Sequence, residues 1–147
     1  MNASNLPGPG HYINRIARLS QRWLEPQLQK LGLAVAQVPV FGAIKTRGPL
    51  SQKELARLLH VEQPTMAQLL TRMERDGLIE RKPDPADGRS SLLCLTSLAI
   101  KKAEPAQELL VAGSHIALKG LSQREIATLT RLLQRVLANL EEALDAG

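Results

Sequence analysis

The 147-residue sequence has one cysteine, Cys94, and one residue each of tryptophan, tyrosine and phenylalanine. A single thiol cannot make an intrachain disulfide or a cysteine zinc cluster, and a reducing, cytoplasmic setting is expected. With aromatics at 2%, any core is aliphatic, built from leucine, isoleucine, valine and alanine. No apolar run approaches the ~18 residues of a membrane-spanning helix. The polar start MNASNLPGPG does not read as a signal peptide, and residues 1–10 are expected to form a flexible arm. His60 and His115 are scattered, and no His/Asp/Glu grouping has metal-ligand spacing. There is also no nucleophile motif and no glycine-rich phosphate loop. Neither enzymatic activity nor a cofactor or metal is expected, because catalysis needs a convergent constellation. Acidic residues are the minority charge: 14 Asp and Glu against 19 Lys and Arg give a net charge of +5 and a pI near 9.8. That balance favours an acidic partner such as nucleic acid.

What is present is mostly helical periodicity. Residues 12–31 carry Tyr12, Ile16, Leu19 and Trp23 on one stripe. Pro26 lies inside that run, removes one backbone donor, and is expected to kink or interrupt the helix. A second helix is expected over residues 36–46, with Val40, Phe41 and Ile44 as its apolar side. In PLSQKELARLLHV, Ser51 and Glu54 have capping-box spacing, and Leu50 and Leu55 that of a hydrophobic staple. A short helix therefore starts at Ser51 and buries Leu55, Leu58 and Leu59. The next helix, in EQPTMAQLLTRMERDG, has Met66, Leu69, Leu70 and Met73 at i, i+3, i+4, i+7. Pro64 fits its first turn and Gly77 the residue just past its end. Two helices joined by a tight turn form a helix-turn-helix. LIERKP and SSLLCLT can then be short strands around Asp-Pro-Ala-Asp-Gly-Arg, the wing of a winged helix. Two long helices close the chain, over residues 97–119, with its pattern broken at Pro105, and 123–144. The last has a Ser122/Glu125 capping box, a Leu121/Ile126 staple, and an apolar stripe of Ile126, Leu129, Leu133, Val136, Leu137, Leu140 and Leu144. So long a stripe in so short a chain calls for a second copy, in a homodimer.

Thr65, Gln68, Arg72 and Arg75 lie opposite the Met66 stripe. In isolation they would be an ordinary solvated face. On the second helix of a helix-turn-helix pair they point to double-stranded DNA: amide and hydroxyl groups suit base edges, and guanidinium groups suit guanine or phosphate. Gln63 and Pro64 would face DNA from the start of that helix. Ser51 and Gln52 could hydrogen-bond phosphate, although capping already accounts for Ser51. Glu62 suits a helix N-terminus but is unfavourable beside phosphate. At the wing tip, Arg89 can enter a minor groove, where negative potential attracts arginine. Asp87 is expected to hold its guanidinium by a charge-assisted bond, and Lys82 to add a phosphate contact.

At these residues the chain resembles the MarR family of winged-helix regulators. The resemblance covers nearly the whole chain and is strongest in DGLIERKPDPADGRSSLLCLT, with its Asp-x-Arg at Asp87 and Arg89. LGLAVAQVPVFGAI and GPLSQKELARLL are similar to the preceding family segments. It implies a mainly α fold with a small β wing: a winged helix-turn-helix over residues 32–96 and a helical dimerisation region over 11–31 and 97–147. It further implies a homodimer that binds a pseudopalindromic operator as a repressor and is released by a small, often phenolic, ligand. The family's ligand site lies between the first two helices and the fifth, so His11, Tyr12, Trp23 and Phe41 are candidates for an aromatic ligand. For Trp23 and Phe41, core packing is the better account. Oxidant sensors of the family carry a cysteine in the first helix, which this chain lacks. Cys94 reads instead as a small structural residue. The chain departs from the family at Ala34, where a capping threonine is usual, at Pro39 inside the expected second helix, which is therefore expected to start late, at Pro26 and Pro105, and at Ala99, where glycine is usual. A winged-helix module that binds protein and not DNA is the alternative reading. The polar, partly basic face argues against it.

Overall fold

The computed structural model describes residues 6–147; residues 1–5 of the expected arm lie outside the described residues. The order is α1 (Pro9–Gln29), a 3-10 turn (Val35–Gln37), α2 (Val38–Arg47), α3 (Gln52–Leu59), α4 (Gln63–Arg75), β1 (Ile79–Asp84), β2 (Asp87–Leu95), α5 (Ser97–Ala117) and α6 (Gln123–Asp145). It is the expected fold: mainly α with a two-stranded antiparallel wing. The chain forms two compact units, one ending at Val111 and the other Ala112–Gly147.

The first unit is built on the stripes seen in the sequence. Met66, Leu70 and Met73 of α4 are fully buried with Leu55 of α3, Val40 and Ile44 of α2, Leu28 of α1, and Leu78, Ile79 and Leu93 of the wing root. Leu58, Leu59 and Leu69 are half-buried at its edge. The Ser51 hydroxyl caps α3 by accepting from the Glu54 backbone N–H at 3.1 Å, a bond worth about 1 kcal/mol in typical caps. The end of α4 is closed by two bonds. Leu78 N–H donates to the Met73 carbonyl and Gly77 N–H to the Glu74 carbonyl. Gly77 takes φ +74°, the left-handed turn that this closure needs. α3 ends the same way on His60, a non-glycine residue at φ 52°.

Two expectations at prolines are revised, and the late start expected of the second helix at Pro39 is found. α1 runs unbroken through Pro26 and α5 through Pro105. Each proline removes one donor, but the carbonyls four residues earlier belong to exposed residues, Arg22 and Lys101, where water can satisfy them. Gln27 Nε2 also donates to the Trp23 carbonyl at 2.9 Å, tying the turn around Pro26. α2 begins only at Val38, because Pro39 is suited to a first turn. A 3-10 turn precedes it, in which Ala34 N–H donates to Gln37 Oε1 at 3.0 Å. With no hydroxyl at position 34, the Gln37 N–H donates instead to the Ala34 backbone carbonyl at 3.0 Å. α1, for its part, starts at Pro9, two residues inside the stretch expected to be an arm.

In the second unit, α6 begins with the complete capping box expected at Ser122 and Glu125, with bonds of 3.1 and 2.9 Å. These Ser122 bonds hold the Glu125 carboxyl below the usual glutamate range, the backbone donor contributing most. No residue of α6 is buried.

Candidate nucleic-acid interface

α4 supplies the reading surface. Its buried stripe fixes the helix against the core, so Thr65, Gln68, Arg72 and Arg75 project from the other side, all exposed. The Arg72 guanidinium has no ion-pair partner among the described residues, whereas Arg75 Nε lies 3.5 Å from Asp76. The starts of α3 and α4 are tied by a bond from Gln52 Nε2 to Gln63 Oε1 at 3.2 Å. This joins two of the expected contact residues and leaves the Gln52 carbonyl and Gln63 amine for an outside partner. Pro64 sits in the first turn of α4. Glu62 precedes it as the N-terminal cap residue, exposed and without a side-chain capping bond.

The wing is anchored at its root and open at its tip. Leu50 and Leu93 exchange backbone bonds of 3.3 and 2.7 Å. Thr96 Oγ1 donates to the Gly77 carbonyl at 2.6 Å and accepts from Ala99 N–H at 3.2 Å. Ala99, in place of the family's glycine, is fully buried. Ile79 pairs with Leu95, Arg81 with Leu93 and Pro83 with Ser91, but Asp84 pairs with Asp87. Gly88, Arg89 and Ser90 therefore bulge from the ladder. Bulges re-aim side chains, and here Arg89 is exposed on the bulge.

The expected Asp87 to Arg89 ion pair is not formed. Asp87 Oδ1 accepts instead from the Arg89 backbone N–H at 3.0 Å. Asp84 Oδ1 does the same for Ala86 N–H at 2.9 Å. A side-chain carboxylate reaches a backbone N–H two residues on with little loss of freedom. Asp87 thus orders the tip through the main chain and leaves the guanidinium without an ion-pair partner among the described residues. Lys82 lies on the other face of β1 from Arg81, with its amine 3.5 Å from Glu80. Cys94 pairs with Glu80 and is half-buried on that outer face, not in the core.

One feature escaped the sequence reading. Arg81 Nε donates to Glu74 Oε2 at 2.9 Å, joining β1 to the last turn of α4. Its signal lay in the strand period: Arg81 is two residues from buried Ile79, so it shares the inner face, but the bulge hid the register. In the region where the resemblance implied a ligand site, a cavity of about 90 Å3 lies between α2, the preceding 3-10 turn and α5, lined by Leu33, Gln37, Phe41, Lys45, Leu95 and Ala106 among others. Of the four ligand candidates only Phe41 lines it. His11 and Tyr12 stack edge-on near the start of α1, with ring centroids 5.3 Å apart, and Trp23 is exposed.

A MarR family model matches residues 31–90. The multiple antibiotic resistance protein MarR of Escherichia coli (strain K12) is 31% identical over 129 residues, 87% of this chain and 90% of that protein. The HTH-type transcriptional repressor IacR of Pseudomonas putida is 27% identical over 133 residues, 90% of this chain and 80% of that protein. A crystal structure of an E. coli MarR variant complexed with operator DNA superposes with a TM-score of 0.79 at 29% identity. It covers 87% of this chain and 92% of that one.

Proposed function

The chain belongs to the MarR family and is a winged-helix transcription regulator, and on that basis we propose that it represses transcription as a homodimer bound to a pseudopalindromic operator. The observation that carries this reading is the pair of exposed guanidiniums, Arg72 on α4 and Arg89 on the wing bulge, each without an ion-pair partner among the described residues. α4 lies in the major groove, where Gln68 can bond an adenine edge and Arg72 a guanine edge or phosphate. Arg89 enters the adjacent minor groove, whose negative potential draws a guanidinium in. Ser51, Gln52, Gln63 and Pro64 approach the backbone between them, with Thr65 and Arg75 along α4 and Lys82 on the wing. Two such lobes read two half-sites about one helical turn, ~34 Å, or a multiple apart. The domain limits follow: residues 32–96 read DNA, and 11–31 with 97–147 make the dimer. The setting is the cytoplasm.

The cavity between α2 and α5 suits release by a small ligand. Its walls are mainly apolar, but Gln37, 2% exposed with its side-chain carbonyl committed to Ala34 N–H, keeps an amide donor, and Lys45 also lines the cavity. A donor and a cation over apolar walls fit an aromatic carboxylate. Such a ligand releases DNA only by binding the released form more tightly.

Fluorescence anisotropy of the full chain on duplex DNA, over a salt series, tests the reading. Affinity should fall steeply with salt, and Arg72→Ala should cost ~1–3 kcal/mol on the preferred sequence. Salt-independent association, or an unchanged affinity for Arg72→Ala, contradicts it. Benzoate should weaken wild-type binding and have less effect on Lys45→Met.

A further inference from the structure

We propose that Arg81 and Glu74 form a latch that sets the angle between the wing and α4, and thereby governs how strongly the minor-groove flank of the operator is read. The inference rests on the DNA-reading assignment above and concerns a pair of residues outside the contact surface.

Arg81 pairs across the hairpin with Leu93, so both side chains point to the inner face of the wing. Leu93 is fully buried and anchors the hairpin root. On β1 the buried face ends at Ile79, and one inner-face position toward the tip, level with Leu93, stands the exposed Arg81. There its Nε meets Glu74 Oε2 at 2.9 Å. Glu74 is in the last full turn of α4, bordering the buried stripe and away from Arg72. The pair therefore touches both DNA-reading elements without belonging to either reading face. The root bonds at Leu50, Leu93 and Thr96 hold the base of the hairpin. Among the described residues, the Glu74–Arg81 bond is the only side-chain bond that ties a strand of the wing to α4. Beyond it come two ladder pairs, Lys82 with Leu92 and Pro83 with Ser91, and then the bulge carrying Arg89 and the turn.

The pair is about half exposed, at 36% for Arg81 and 45% for Glu74. Such pairs bias a conformation modestly, by a factor of about five at most. Apparent affinity scales with the fraction of molecules whose wing is seated, so the loss on breaking the latch has the same ceiling. That ceiling separates a positioning residue from a direct contact.

The test uses full-length protein and two duplexes with the same selected half-sites, flanked by either A·T or G·C runs. The readout is the ratio of the two affinities, because Glu74→Gln also removes a negative charge near DNA and should tighten both. Wild type is expected to prefer A·T flanks. Arg81→Ala and Glu74→Gln should each reduce that preference up to about fivefold, and Glu74→Arg combined with Arg81→Glu should restore it. Unchanged preference in both single variants, even with a lowered Tm, overturns the latch and leaves a purely structural bond. A loss beyond about tenfold that the swapped pair fails to restore also overturns it, because Arg81 would then be touching DNA itself. A wild type that ignores the flanks overturns the minor-groove role of the wing, and the latch with it.

Discussion

α4 and α6 have nearly the same apolar spacing and opposite fates. In α4, Met66, Leu70 and Met73 are all 0% exposed, covered by α3, the wing root and α2. In α6, Leu133, Leu137, Leu140 and Leu144 are 43, 56, 60 and 62% exposed. α1 shares the second pattern: Tyr12, Ile16 and Leu19 are exposed on one stripe, and only Leu28 near its end is buried. Periodicity shows that a helix face must be covered; it does not show by what. In the winged lobe the cover comes from the same chain within a few residues. For α6 and α1 the proposed cover is a second copy, since contiguous apolar faces of this kind mark association sites.

The strongest way to break this contrast is to make α6 unable to be covered. Leu133→Asp with Leu137→Asp should give a monomer by light scattering and keep the helical circular dichroism of the lobe. Losing the second half-site should cost at least ~100-fold in operator affinity, the usual gain from bivalent binding. A dimer that survives both changes would refute the assigned role of α6. Next in size, Leu70→Ala should destabilise the lobe by about 2–5 kcal/mol in denaturant unfolding, because a fully buried leucine leaves a cavity. The same change at Leu140 should shift unfolding only through its concentration dependence, sharpening the distinction between internal and intermolecular cover.

Arg89→Ala comes third. It should weaken specific binding by ~1–3 kcal/mol with the dimer intact, and unchanged anisotropy would remove the wing from the interface. Ser51→Ala, which deletes the α3 cap, should cost about 1 kcal/mol of stability. The smallest effect concerns pH. The Glu125 carboxyl is held below its ordinary value by Ser122. Its stabilising contribution is therefore fully present above the unfolded-state pKa and lost as pH falls through the lower folded value. Glu125→Gln, which removes the titrating carboxyl, should flatten the acid limb of the stability profile, and an unaltered limb would show that the cap has no linkage.

The winged lobe was legible because its signals are local. The Ser51 cap, Pro64 in a first turn, Gly77 past a helix end and the α4 stripe each act within a few residues, and each took its expected place. The prolines misled because the rule against interior proline describes the lost bond, not the exposed carbonyl that water can serve. The wing chemistry was half legible. Asp87 and Arg89 do interact, but through a backbone N–H. Only the bulge at Gly88, Arg89 and Ser90, a matter of register, determines that geometry. The Arg81–Glu74 bond joins residues from different elements, so no local pattern announces it. The cavity lies in the region that the resemblance implied for a ligand, but of the four expected lining residues only Phe41 reaches it.

The most direct test of the central claim, two self-contained reading lobes joined through α1 and α6, is selection of bound fragments from random DNA. The account predicts an inverted repeat with half-sites about one helical turn, or a multiple of it, apart. A single unrepeated site, or no preferred sequence, would contradict it.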